Sequence, residues 1–427
     1  MRAFAELWDE IARERYGVTE ERLRRFRYGV QVNSLGLTEQ QPENNVYRIL
    51  LEMLAVVLSK RARARAVQLP AWNEALGLPR PFDQQWSLRM QQIVAYETDL
   101  LEYGDLFDGN PAVAARVDDL KEAARAELAR IEAMGGAVAA IGYMKGRLVS
   151  ANAARLARIE SGETVVVGVN RYVEGEPSPL TAGDGGIMTV DPGLEAERIA
   201  ALAEWRAARD PAKVAEALDA LRGAARDGTN VMPASIAAAK AGVTTGEWGA
   251  AMREAFGEYR APTGVGAAAR EPSGDIADLR AAVEAASARL GRRVKFLVGK
   301  PGLDGHSNGA EQIAVRARDC GMEVVYEGIR LTPAQIVNAA LEESVHVVGL
   351  SILSGSHLPL AEEVMTRMRA AGLEDVPVVI GGIIPEADAA ALRSFGIARV
   401  YTPKDFELNR IMADIIALAA EAGRATA

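Results

Sequence analysis

Cysteine, histidine and aromatic residues are scarce in this chain. Its 427 residues include one cysteine, three histidines and only 5% aromatic side chains. A single cysteine, Cys320, excludes an intrachain disulfide and agrees with a reducing compartment, so we expect a cytoplasmic protein with an inert thiol. A site that needs an imidazole has few candidates, namely His306, His346 and His357.

Excess positive charge and long apolar runs are absent too. The formal net charge is −9, which argues against nucleic acid as the main partner. No apolar run reaches the length of a membrane span, so we expect no membrane partner. With 49% hydrophobic and 25% charged residues, the composition is that of an ordinary globular protein, long enough for two or three domains.

One loop combines a carboxylate, a histidine and two glycines. Its residues are Asp304, Gly305, His306, Ser307, Asn308 and Gly309. The loop follows an apolar run at 294–298 that is typical of a buried strand and precedes a helical pattern at 309–320. An imidazole on such a loop can ligate a metal through one nitrogen while a carboxylate holds the other nitrogen and fixes the tautomer. The alternative is an ordinary loop histidine.

Residues 275–427 alternate regularly between strand and helix patterns. Strands are predicted at 294–298, 323–326, 346–351, 376–381 and 399–401, and helices at 309–320, 332–343, 358–371, 386–395 and 406–420. Five such units predict a doubly wound, flavodoxin-like α/β domain with strand order 2-1-3-4-5, whose ligand lies at the carboxyl ends of the strands. Small and polar residues gather at those ends.

The first 274 residues are organised differently. In 1–115, strands are predicted at 28–33 and 62–69 and helices at 44–60 and 86–101, which are too few units to close a barrel. Residues 116–274 are predicted to be a mostly helical linker region. It contains an apolar stripe from Val117 to Ile131, a short strand at 164–169 and a loop at 183–186, and it ends in a proline- and glycine-rich linker at 261–274.

Residues 294–403 closely resemble the cobalamin-binding domain of coenzyme B12-dependent acyl-CoA mutases. The matching segments are 300–309, 346–351, 353–357, 381–385 and 401–403. In that family the loop histidine replaces the cofactor's own dimethylbenzimidazole as lower axial ligand of cobalt, and the displaced nucleotide tail inserts beside the sheet. The resemblance implies adenosylcobalamin as cofactor and cobalt on His306. It also assigns Asp304 and Lys300 to the catalytic site, as supports of the cobalt ligand.

The same resemblance implies the remaining cofactor contacts. They are Gly305, Ser307, Asn308, Gly309, Ile313, Ser351, Leu353, Ser354, Gly355, Gly381, Gly382, Tyr401 and Thr402. Glycines suit a corrin ring and a buried tail, which need close approach of the backbone. For His357, a pocket role and a structural role are both open, whereas a structural role is expected for His346.

The segments 30–45, 71–76 and 162–170 resemble the last part of the mutase (β/α)8 barrel and the segment after it. The implied fold class is α/β, with a partial barrel at 1–115, a helical linker region at 116–274 and a flavodoxin-like cobalamin-binding domain at 275–427. Gly29 and the segment 69–74 favour the ethylmalonyl-CoA branch of the family over the methylmalonyl-CoA branch. By the same alignment, Gln31 and Glu74 would face the adenosyl group or the upper face of the corrin.

The resemblance implies an isomerase that rearranges the carbon skeleton of an acyl-CoA substrate, converting ethylmalonyl-CoA to methylsuccinyl-CoA. Full mutases begin with further barrel strands, so we expect a fragment, a mis-assigned start codon, or a subunit whose barrel a separate chain completes, inactive by itself. A homo-oligomer is expected, with 275–427 folding independently and 1–115 poorly stable alone. The rival hypotheses are a methylmalonyl-CoA mutase chain or subunit and a cobalamin-binding module without catalysis.

Overall fold

A computed structural model of the chain describes residues 1–181, 186–188, 191–265, 274–402, 404–405 and 407–425. Most of the predicted loop at 183–186 and of the predicted linker at 261–274 lies outside these residues, as does Pro403. The chain divides into two compact units, one made of Met1–Met188 with Pro262–Ala427 and the other of Thr189–Ala261. Within the described ranges, no helix is long and apolar enough to cross a membrane.

The first part of the larger unit contains two parallel strands among helices. Its elements are α1 (Arg2–Glu14), α2 (Glu21–Arg24), β1 (Tyr28–Gln31), α3 (Asn44–Leu58), β2 (Ala64–Gln68), α4 (Pro81–Tyr96), α5 (Pro111–Ala133) and α6 (Ile141–Glu160). β1 and β2 pair in parallel, with α3 as the crossover between them. This is the repeating unit of a β/α barrel. Ile49, Met53 and Trp72 are buried at its core.

Of two features predicted within residues 116–181, the structure contradicts one and confirms the other. The short strand predicted at 164–169 is wrong, because Val167 makes only an isolated bridge with Arg171 and Gly168 turns the chain with a φ of +82°. The apolar stripe on α5 correctly predicts a helix that ends just before Gly135. It contributes little to the core, since Leu120 is 46% exposed and only Val117 is buried on that helix.

The smaller unit is a bundle of four helices. They are α7 (Pro192–Ala208), α8 (Pro211–Arg226), α9 (Val231–Ala241) and α10 (Thr245–Phe256). α8 packs against both α9 and α10. The start of α8 is fixed by Asp210, whose side chain accepts hydrogen bonds from the first free backbone N–H groups, and by a proline in the first turn. These helices confirm the mostly helical character predicted for this stretch.

The last part of the larger unit is a five-stranded parallel sheet covered by helices on both faces. Its elements are α11 (Gly274–Leu290), β3 (Lys295–Gly299), α12 (Asn308–Asp319), β4 (Glu323–Val325), α13 (Pro333–Glu342), β5 (Val347–Ile352), α14 (His357–Ala370), β6 (Val378–Gly382), α15 (Glu386–Phe395), β7 (Arg399–Tyr401) and α16 (Leu408–Ala425). The strands lie in the order β4-β3-β5-β6-β7. The predicted order 2-1-3-4-5 is therefore confirmed.

Two apolar layers sandwich this sheet. Phe296 and Val347 belong to the layer shared with α11, α12 and α16, whereas Leu297 and Val348 belong to the layer shared with α13, α14 and α15. Because both faces of the central strands are buried, these strands are continuous apolar runs rather than alternating ones. α6 packs on the outside of α12. The loops that leave the carboxyl ends of β3, β5 and β6 meet at one edge of the sheet.

Candidate functional site

A buried ion pair forms the base of the loop after β3. Nζ of Lys300 lies 2.5 Å from Oδ2 of Asp304, and the two side chains are 0% and 2% exposed. The backbone N–H of Leu353, in the loop after β5, donates to the same carboxylate at 2.9 Å. Asp304 therefore ties together the loops of two neighbouring strands and is held in one orientation.

The other oxygen of Asp304 faces His306. Oδ1 lies 2.7 Å from Nδ1 of the imidazole and accepts the backbone N–H of His306 at 3.0 Å. Burial tends to raise the pKa of Asp304, but hydrogen bonds from Lys300 and from the backbone of His306 and Leu353 hold it well below its ordinary value. An ionised carboxylate only accepts hydrogen bonds, so Nδ1 of His306 carries the proton in this contact, and Nε2 is the ring nitrogen left for a further ligand.

The His306 side chain projects from this buried base into the open. It is 76% exposed, although its partner Asp304 is 2% exposed. Among the residues that the structure describes, no group of three or more His, Cys, Asp or Glu side chains could hold a metal ion. A single oriented nitrogen on an open surface suits a metal whose other ligands belong to its own macrocycle, as cobalt in a corrin does. The donor set therefore fits cobalamin.

A cavity of about 380 Å³ opens beside the same loop. It lies between the sheet and the helices α12 and α16, and most of its wall is apolar. Nine of the predicted cofactor residues line it, namely Asn308, Gly309, Ile313, Ser351, Leu353, Gly381, Gly382, Tyr401 and Thr402. A mostly apolar cavity beside the loop of His306 suits a displaced nucleotide tail, whose benzimidazole ring is apolar.

Glycine is required where β6 passes β5. A Cβ built on Gly382 would lie 1.8 Å from the carbonyl oxygen of Ile352, so no side chain fits without separating the two strands. The neighbouring Gly381 has more room, because its nearest contact would be Cβ of Tyr401 at 3.7 Å. The absence of side chains at these positions keeps the mouth of the cavity open.

The remaining predicted cofactor residues do not line the cavity. Gly305 and Ser307 flank His306 in the loop, and Ser354 and Gly355 lie in the loop between β5 and α14. Gln31 is the exposed last residue of β1.

Glu74, after β2, lies near the imidazole. Burial raises the pKa of Glu74 and the charge of His306 opposes that shift, so the two side chains interact electrostatically. Glu74 is thus close enough to His306 for their charges to interact.

The other two histidines have structural partners. Nε2 of the buried His357 lies 2.8 Å from Oδ2 of Asp388, which links α14 to α15. Nδ1 of His346 accepts the backbone N–H of Lys295 at 2.9 Å, and burial lowers the pKa of this imidazole. Neither of them lines the cavity.

One wall of the cavity is missing from the sequence-based prediction. Asn152, Arg155 and Leu156 of α6 line it, together with Leu35. α6 is anchored to α12 by Lys145, whose Nζ lies 2.6 Å from Oε1 of the buried Glu311. The available signal was the spacing of positions 145, 149, 152 and 156, which places them on one helical face.

Comparisons with known proteins agree with this geometry. Residues 1–258 match the family model described as methylmalonyl-CoA mutase, and residues 294–405 match the model of the B12 binding domain. The predicted cofactor, adenosylcobalamin, and the α/β fold with a cobalamin-binding domain are confirmed.

Individual relatives distinguish the branches of the family. The chain is 71% identical over 418 residues to ethylmalonyl-CoA mutase of Cereibacter sphaeroides, covering 98% of this chain and 64% of that protein. It is 64% identical over 414 residues to ethylmalonyl-CoA mutase of Methylorubrum extorquens, with coverages of 96% and 60%. Identity to methylmalonyl-CoA mutase of Escherichia coli is 34% over 414 residues, with coverages of 94% and 57%.

The chain spans less than two thirds of the length of these curated relatives. Its resemblance to coenzyme B12-dependent acyl-CoA mutases is confirmed, and these two ethylmalonyl-CoA mutases share more of its sequence than the methylmalonyl-CoA mutase does. The match over 1–258 covers more than half of the chain and includes the segment with β1 and β2. The chain therefore belongs to the methylmalonyl-CoA mutase family.

Proposed function

We propose that this chain is the cobalamin-binding part of an adenosylcobalamin-dependent isomerase that interconverts ethylmalonyl-CoA and methylsuccinyl-CoA. The observation that carries the proposal is the Lys300–Asp304–His306 arrangement in a chain 71% identical to an ethylmalonyl-CoA mutase. When bound, the cofactor would supply a cobalt–carbon bond for radical chemistry, which belongs to the cofactor and not to the protein. The protein's task is to hold and orient it.

The described residues divide that task. Lys300 keeps Asp304 ionised, Asp304 holds the Nδ1 proton of His306, and His306 would offer Nε2 to the cobalt. The cavity beside β5 and β6 would hold the nucleotide tail. Glu74 lies near His306 and would face the cofactor from the barrel segment. The fixed base of the loop limits the movement of the imidazole during turnover.

Turnover requires more barrel strands than the described residues provide. Residues 1–115 contain two parallel strands, whereas a closed β/α barrel has eight. We propose that the remaining strands, and with them most contacts to the acyl-CoA, come from further polypeptide. That polypeptide is either part of the same protein or a separate partner chain, and the assembly is a cytoplasmic homo-oligomer.

The test compares binding and turnover. The purified chain is titrated with adenosylcobalamin and then incubated with ethylmalonyl-CoA. The incubation is done alone and with a co-expressed polypeptide corresponding to the rest of the ethylmalonyl-CoA mutase relatives. We expect the chain alone to bind cobalamin and methylsuccinyl-CoA to form only in the reconstituted sample. Preference of that sample for methylmalonyl-CoA would overturn the assigned substrate, and failure to bind cobalamin would overturn the whole proposal.

A second candidate is a cobalamin-binding module without catalysis. It is favoured by the presence of only two barrel strands among the described residues of 1–115. Turnover by the reconstituted sample excludes it. Binding with no turnover under any reconstitution supports it.

A further inference from the structure

The cavity beside His306 is closed by a helix outside the B12 binding domain. Asn152, Arg155 and Leu156 belong to α6, within the segment that matches the mutase model, and not within residues 294–405. The opposite walls come from the sheet, α12 and α16. The pocket is therefore a composite of two segments that are distant in sequence.

α6 is fixed at both ends against the B12 binding domain. Near its start, Lys145 pairs with Glu311, whose side chain is 4% exposed. At its end, Glu160 lies 2.7 Å from Arg316 through one carboxylate oxygen and accepts the backbone N–H of Leu408 at 3.3 Å through the other. A partly buried ion pair with an additional hydrogen bond holds its partners in one geometry. α6 is thus a built wall of the pocket and not a loosely placed neighbour.

The wall formed by α6 brings one positive charge to the cavity. Among the described residues that line the cavity, Arg155 is the only lysine or arginine. Its guanidinium donates one hydrogen bond, from Nη2 to the carbonyl of Leu35 at 3.3 Å, which leaves further N–H groups to donate. The single acid of the lining, Asp405, is engaged with the backbone N–H of Thr402 at 2.9 Å.

The nucleotide tail of cobalamin has matching chemistry. It combines an apolar benzimidazole ring with one anionic phosphodiester. The cavity combines an apolar interior, with Phe296, Val298 and Ile411 in its wall, and one cation on α6. Arginine recognises phosphate through several charge-assisted hydrogen bonds, and the partly desolvated surroundings strengthen them.

We propose that Arg155 binds the phosphodiester of the nucleotide tail and that α6 thereby selects cobalamins over corrinoids that lack the tail. The assignment rests on the proposed cobalamin binding. It makes Arg155 a specificity-determining residue supplied by the mutase segment to a cofactor held mainly by the B12 binding domain. His306 holds the metal end of the cofactor and Arg155 holds the tail.

The test uses two probes on the whole chain. Adenosylcobalamin carries the nucleotide tail, and adenosylcobinamide lacks it but keeps the corrin and the adenosyl group. The variant Arg155→Met removes the charge at similar side-chain length. The control Arg158→Met removes a charge from an exposed position on the same helix. Dissociation constants are measured for both probes by fluorescence quenching, and folding of each variant is checked by circular dichroism and thermal melting.

We expect Arg155→Met to weaken adenosylcobalamin binding by about tenfold or more, which is the loss of affinity expected when a hydrogen bond to a charged group is removed. Binding of adenosylcobinamide should be unchanged. Arg155→Lys should retain part of the affinity, and Arg158→Met all of it. Equal weakening for both probes, or no weakening for either, would overturn the role of Arg155. Failure of the unaltered chain to bind either probe would instead contradict the proposed function.

Discussion

Nζ of Lys300 lies 2.5 Å from Oδ2 of Asp304, and both side chains are almost completely withdrawn from solvent. Burial lowers the pKa of Lys300, while the adjacent carboxylate opposes that shift. Removing one member of such a pair leaves the other charge buried without a partner. We therefore expect Lys300→Met to reduce the free energy of unfolding by about 3–5 kcal/mol, as measured by urea denaturation.

Lys295 supplies the matched control for Lys300. It lies at the start of the same strand and pairs with Glu323 and Glu343, which are about half exposed. Lys295→Met should lower the free energy of unfolding far less than Lys300→Met does, because exposed ion pairs contribute little. Equal losses for the two variants would contradict the structural importance of the Lys300–Asp304 pair.

His306 should be dispensable for folding and required for cobalt coordination. Its side chain is 76% exposed, so His306→Ala should change the free energy of unfolding of the apoprotein by less than about 0.5 kcal/mol. In the cob(II)alamin complex, electron paramagnetic resonance should show nitrogen superhyperfine splitting that changes from three lines to two when the protein is labelled with ¹⁵N-histidine. The variant should lose this isotope effect. An isotope effect that persists in His306→Ala would assign the axial ligand to another histidine.

Two adjacent glycines should respond differently to alanine. In Gly382→Ala the new methyl group would meet the Ile352 carbonyl oxygen, which belongs to the backbone of β5 and cannot move without opening the sheet. We expect this variant to lose about 1–3 kcal/mol of unfolding free energy, the usual consequence of overpacking. Gly381→Ala adds the same methyl group with its nearest neighbour at 3.7 Å and should be nearly neutral. A neutral Gly382→Ala would show that β5 and β6 are less closely placed.

The two ends of the larger unit should differ in local stability. Residues 275–427 contain a sheet buried on both faces, whereas in 1–115 large apolar side chains such as Phe4, Tyr47 and Leu51 are more than half exposed. Amide hydrogens of β3, β5 and β6 should therefore exchange far more slowly than those of β1 and β2, as measured by mass spectrometry. Equal protection of β1 and β3 would contradict the prediction that only 275–427 folds independently.

Much of the B12 binding domain could be predicted from sequence because its signals are local. The runs that form β3 and β5 are apolar throughout, since both faces of each strand are buried. The strand-to-helix loop with His306 follows such a run directly. Strand order then follows from the general behaviour of doubly wound sheets. The predicted and observed ends of these strands differ by only one or two residues, at the points where the strands are followed by polar loops.

Helical spacing could place the wall residues of α6 on one face, but it could not show what that face packs against, because this depends on contacts between segments distant in the chain. Lys145 and Glu160 look like ordinary solvated positions of an alanine-rich helix, yet they pair with Glu311 and Arg316 on α12. No local pattern distinguishes Arg155 from Arg158, although one lines the cavity and the other is exposed. Likewise, the segment 164–169 has the composition of a strand, but among the described residues Val167 makes only an isolated bridge with Arg171.

Cys320 should make stability depend on alkaline pH. The thiol is fully buried, and this burial raises its pKa from the ordinary value of 9.0 to about 11. Below pH 9 the thiol is protonated in both states and its contribution to stability is fully present. Between pH 9 and 11 the unfolded chain loses the proton first, so that contribution disappears.

The expected loss from this single group is roughly 2 kcal/mol at pH 10.5. Urea denaturation at pH 8.0, 9.5 and 10.5 should therefore show a steeper fall in unfolding free energy for the unaltered chain than for Cys320→Ala. The two proteins are compared by the slope of unfolding free energy against pH, because the alanine variant also has a small cavity that lowers its stability at every pH. Burial raises the pKa of Tyr401 as well, but that group is present in both proteins and cancels. Parallel slopes would show that the thiol reaches solvent in the native state.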